Sequence, residues 1–82
     1  MNTDAYTTAY WNAHNDPTNA DRWHTLYDEA RTLGWAARKA GDKDEALRWF
    51  DTARAAHVHY MIASDGTSPL SDTGRKLVAA RI

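Results

Sequence analysis

Apolar residues return along this chain at steps of three and four. From Trp23 through Leu26, Tyr27, Ala30, Leu33 and Gly34 to Ala37 the steps are 3, 1, 3, 3, 1 and 3, which keeps all seven on one helical stripe and matches no strand alternation. A second series, Ala46, Trp49, Phe50, Ala53, Ala56, His57, Tyr60, Met61 and Ser64, covers a wide helical face that implies more than one packing neighbour. Nearer the start, Tyr6 and Tyr10 stand one turn apart with Trp11 beside them, and near the end Leu70, Leu77 and Val78 offer a short docking surface. Turn signals at Asn15-Asp16-Pro17, at Gly41 and from Asp65 to Pro69 divide these patterns. The expected fold is all-α. Helices are predicted at about 4–14, 18–40, 42–64 and 69–80, the middle two forming a long antiparallel hairpin with the short terminal helices packed against it.

Polar residues at the predicted ends support this division. Thr18 with Asp21 three residues on is a variant capping box for the second helix, and Gly41 is suited to the left-handed position just past its end. The third helix opens on Asp42 with Glu45 at its third position, and the fourth is predicted to open with Ser68 as cap and Pro69 in its first turn. Gly74 inside that last helix costs about 1 kcal/mol relative to Ala, so a short or frayed helix is expected. Asp16, Asp21, Asp42, Asp44 and Asp72 all fall near helix starts, where carboxylates meet unpaired amides, and are read as structural rather than catalytic.

Composition narrows the function classes. Eighty-two residues suit one domain with a thin core, in which a large substrate cavity is not expected. There is no cysteine, so disulfides and thiolate metal sites are excluded, and a reducing compartment is compatible. The net charge of −1 divides evenly, with four bases and five acids in residues 1–41 and six of each in 42–82. No broad electrostatic footprint for nucleic acid follows from that balance. The start MNTDAYTT lacks the regions of a signal peptide and no apolar run is long enough to span a membrane, so a cytoplasmic location without membrane association is expected. Seven Arg against three Lys, with fifteen Ala, hint at GC-rich coding and fit a compact bacterial or phage regulator.

GDKDEALRWFDTA, residues 41–53, is similar to the turn and second helix of a tetratricopeptide repeat. Leu33-Gly34, Ala46, Phe50 and Ala53 stand at the separations with which that family interlocks its two helices. DPTNADRWHTL, residues 16–26, resembles the linker and first turn of such a repeat. In the register of Trp23 the first helix is seven residues longer than the family's, close to two turns, so the buried stripe stays in phase. Val58 stands where the family commonly places proline, and no second full copy is present. The resemblance covers about residues 16–60. It implies a TPR-like, non-enzymatic protein-binding module that uses the exposed face of its first helix, which in the register anchored on Gly34 is Asp28, Arg31, Trp35, Arg38 and Lys39.

Arg31, Trp35 and Arg38 also attract notice without the family. They lie at i, i+4 and i+7, off the buried stripe, and place two guanidinium groups around an indole, an arrangement suited to an acidic or C-terminal carboxylate ligand. The alternative is a covered Trp35, sheltered by Tyr6, Tyr10 and Trp11 with the arginines as solvated flanks. Other chemistry finds less support. His57 and His59 point about 200° apart on a helix, and His24 with Asp28 lacks a third ligand, so neither metal nor other cofactor is expected. Ser64, Ser68 and Ser71 have no evident base, and no catalytic residue is assigned. Arg75, Lys76 and Arg81 form the one local basic excess; they are the candidate phosphate contacts of an alternative nucleic-acid-associated regulator, though Arg81 also suits its own helix dipole. A third reading is a structural homodimer that covers Trp23, Trp49 and Tyr60.

Overall fold

A computed structural model describes residues 2–82. Four helices follow in order, α1 (Asp4–Asn15), α2 (Ala20–Lys39), α3 (Lys43–Ser64) and α4 (Asp72–Arg81), and no strand occurs among the described residues. The fold is all-α. Helices α2 and α3 pack closely as a hairpin, α1 lies against α2, and α4 against α3.

The predicted stripe of α2 is its buried face. Trp23, Leu26, Ala30, Leu33, Gly34 and Ala37 are all buried, and Tyr27 is half-buried. At the interlock, a Cβ on Gly34 would stand 2.7 Å from the Phe50 ring, so the missing side chain is what lets that ring approach α2. The wide face of α3 serves several neighbours. Trp49 meets Tyr6 of α1 edge to face at 4.9 Å, Ala53 and Ala56 are buried, and Val58 and Ile62 form a second small core with Val78 of α4.

Both long helices end in the same way. Gly41 (φ 85°) and Gly66 (φ 83°) take the left-handed conformation, and the amides of Asp42 and Thr67 reach back to the carbonyls of Ala37 and Ile62, closing carbonyls that a helix end leaves open. The start of α3 is capped as expected, with the Asp42 carboxylate accepting from the Glu45 amide at 3.1 Å.

Two helix starts differ from the expectation. Helix α2 begins at Ala20 behind Asn19, not at Thr18, and no side chain caps it; the Asn19 amide donates to Asp16 instead. The turn is fixed by Trp23, whose buried indole donates from Nε1 to the Pro17 carbonyl at 2.8 Å. Helix α4 starts at Asp72 behind Ser71, whose Oγ accepts from the Gly74 amide and donates to the Ser68 carbonyl, and Pro69 is a buried loop residue. Close packing explains the shift. A Cβ on Gly74 would fall 1.8 Å from the Ser68 carbonyl oxygen, so the chain before α4 folds directly onto the helix's first turn. Of the three residues expected to dock, Val78 is buried and Leu70 is packed against the core, whereas Leu77 is exposed.

Of the three aromatic residues named for self-pairing, one is in the core. Trp23 is 1% exposed, whereas Trp49, which meets Tyr6, and Tyr60, which packs against His24 and His57, are half-buried.

Candidate basic groove

The α2 face carries Trp35 on its outer side. The residue is 52% exposed, its indole meets Phe50 edge to face at 5.2 Å, and the Arg38 guanidinium lies over it at 5.5 Å. Its ring partner is Phe50, not the aromatic rings of α1. The reason lies in the packing of α1, which turns Tyr6 toward Trp49 and Tyr10 toward His14 and Trp11.

The Phe50 ring divides the α2–α3 seam into two grooves. The larger, about 560 Å³, is floored by Tyr27, Phe50, Ala53, Val58 and Met61 and rimmed by His57 and three arginines: Arg31 from α2, Arg54 from α3 and Arg81 from α4. The smaller, about 370 Å³, holds Ala46, Leu47 and Phe50 beside Arg38 and Lys43. Five of the chain's ten Lys and Arg line these grooves, and no carboxylate does. Among the described residues, none of the five has a carboxylate within ion-pair distance; the pairs formed are Arg22–Asp16, His24–Asp28 and Arg48–Glu45. Arg31 lies over the Tyr27 ring at 5.4 Å and Arg81 Nη1 stands 3.8 Å from Met61 Sδ, so two of the guanidinium groups rest on soft apolar partners.

The structure redistributes the residues that the sequence singles out. Arg31 and Arg38 reach the seam, one on each side of Phe50, with Trp35 beside it. Asp28 is drawn to His24 at 3.3 Å and Lys39 is exposed in the last turn of α2; neither lines a groove. The three basic residues of α4 separate. Arg81 turns to the seam, whereas Arg75 and Lys76 stay outside it, about 120–140° away around the helix. Arg54 and Leu47 lie outside the helical stripes, which follow buried positions. A signal was present in their spacing: Leu47, Phe50, Arg54, His57 and Met61 step by 3, 4, 3 and 4, the period of a helical packing seam.

His59 and the serines singled out in the sequence make hydrogen bonds within the chain. His59 donates from Nδ1 to the Ala55 carbonyl and packs on Trp23, away from His57. Burial holds its pKa below the ordinary 6.5, the Ala55 bond opposes that shift, and nearby His14 adds to it. Ser64 and Ser71 donate to carbonyls and Ser68 accepts from the Leu70 amide. No three His, Cys, Asp or Glu side chains gather as a metal site among the described residues, nor is any helix there long and apolar enough to cross a membrane. No family model matches the chain, and neither a curated protein nor a solved structure matches it.

Proposed function

We propose that this chain is a non-enzymatic protein-binding module, a small adaptor or inhibitor whose TPR-like hairpin engages a partner protein through the outer face of α2. The observation that carries this reading is the half-exposed Trp35, held edge-on by Phe50 and flanked by Arg38. Large indoles and arginines at the centre of a patch supply most of the energy in many interfaces, and a ring already held by its neighbours loses little freedom on binding. Arg31 adds a second cation on the same helix.

The test is affinity capture from nuclease-treated lysate, comparing the native chain with the Arg31→Ala/Trp35→Ala/Arg38→Ala variant. All three positions are exposed, so helicity by circular dichroism should be unchanged. A protein retained by the native chain and lost by the folded variant supports the reading. Equal capture by both, or none by either, overturns it.

A further inference from the structure

The proposed binding face has more definition than a single exposed tryptophan. Its α2 side is lined by Tyr27, Arg31 and Arg38, which together with Gly34 step by 4, 3 and 4 along the helix. Its α3 side is lined by Leu47, Phe50, Arg54, His57 and Met61, stepping by 3, 4, 3 and 4. The two grooves, one on each side of the Phe50 ring, form a slot interrupted by that ring, and lining residues at this period on two antiparallel helices accept side chains of a third helix at the same period on either side of it. At 1.5 Å per residue, the stretch from Leu47 to Met61 is about 21 Å long, matching about four turns of such a helix.

Charge selects among occupants. The slot is basic along its length, from Lys43 and Arg38 at one end through Arg31 and Arg54 to Arg81 at the other. A second copy placed here about a two-fold axis would set these cations against themselves, with no lining carboxylate to offset them. An extended nucleic-acid backbone would run on toward Asp42 and Asp44, which stand with Lys43 at the hairpin tip. A short acidic element meets neither obstacle. Its apolar side chains would enter between Tyr27, Phe50, Leu47 and Met61, and its carboxylates would meet guanidinium groups that have no carboxylate partner within the described chain.

We infer that the occupant of the α2–α3 seam is one acidic amphipathic helix of a partner protein, about four turns long, with Arg54 and Arg81 holding its carboxylates and Phe50 and Leu47 receiving its apolar face. The inference rests on the proposed protein-binding function and narrows it to one class of partner. It also gives α4 a role beyond support, since Arg81 closes one end of the slot.

The test is selection of a random 16-residue peptide library displayed on phage against the intact chain, followed by fluorescence anisotropy of the enriched peptides as synthetic, labelled probes. Enriched peptides should carry apolar residues three and four apart with Asp or Glu on the flanks. Arg54→Gln plus Arg81→Gln, both at exposed positions, should weaken them about tenfold while leaving helicity intact. A glutamine-for-glutamate version of each peptide should lose a similar factor on the native chain and little on the double variant. Peptides that depend on Trp35 but carry no acidic or helical pattern, or that ignore Arg54→Gln/Arg81→Gln, would overturn the inference while sparing the binding face. Binding of acidic helical peptides that needs Arg54 and Arg81 but ignores Trp35→Ala and Arg38→Ala would overturn the Trp35-centred reading while sparing the acidic helix. Binding that ignores all four substitutions would overturn both, and a library that yields no enriched sequence overturns the acidic-helix inference.

Discussion

Two tryptophans show how one side-chain type is used in opposite ways. Trp23 is sealed in the core and its Nε1 secures the Pro17 carbonyl, whereas Trp49 Nε1 is buried with no hydrogen-bond partner in the structure. Replacement by Phe therefore has unequal effects. Trp23→Phe leaves a void and strands a carbonyl, an expected loss of about 2–3 kcal/mol. Trp49→Phe removes an orphan donor along with some packing, so its cost should stay below about 1 kcal/mol. Urea unfolding of both variants against the native chain checks the difference; equal losses would contradict the hydrogen-bond assignment. Beside Trp23, His59 links stability to pH. Its folded pKa is lowered, so between that value and 6.5 the unfolded chain binds a proton that the folded chain refuses. The contribution is present in full above pH 6.5 and is lost as the pH falls through the folded value. Urea midpoints at about pH 5 and pH 7.5 should therefore show lower stability at the acid end, and His59→Gln should flatten that difference.

At the level of elements, the strength of attachment differs between helices. Helices α2 and α3 share a long face, but α4 is held through a small cluster of Val58, Met61, Ile62 and Val78, and by the close seat of Gly74 on Ser68. Ala normally improves a helix over Gly by about 1 kcal/mol. Here Gly74→Ala should act in the opposite direction, because the added carbon overlaps backbone that has no easy way to yield. Hydrogen exchange followed by mass spectrometry should find α4 amides of this variant exchanging near the unfolded rate, with those of α2 and α3 still protected. The same comparison marks where the sequence is legible. The hairpin could be read because its signals are local: Gly41 and Asp42 at the turn, and a stripe whose seven members are near neighbours along one helix. The start of α4 could not, since Ser68 and Ser71 both satisfy the rules for a cap and the choice depends on a contact between the turn and Gly74. For the same reason Arg31, Trp35 and Arg38 stood out in a single helix, whereas Arg54 and Arg81 join them only after three helices are assembled.

For the whole molecule, a net charge of −1 conceals an uneven distribution. With five of ten bases along one seam and no carboxylate lining it, the remaining surface carries five bases and all eleven acids. Such a field orients an approaching acidic partner and is screened over about 8–10 Å in ordinary buffers. Association with an acidic helical peptide should accordingly slow as salt rises from about 0.05 to 0.5 M, with dissociation changing less; stopped-flow anisotropy separates the two rates. An unchanged association rate would show that the basic rim does not steer binding.

The placement of the four indoles has a practical consequence of another kind. Trp23 is enclosed, Trp49 half-enclosed, and Trp11 and Trp35 open to solvent at 58% and 52%. Native emission is thus a sum of blue and red contributions, and only one of the red emitters lies beside the seam. With Trp11 replaced by Phe, a partner that excludes water from Trp35 would shift the protein's own light to shorter wavelength, so occupancy of the face would be visible without any attached dye.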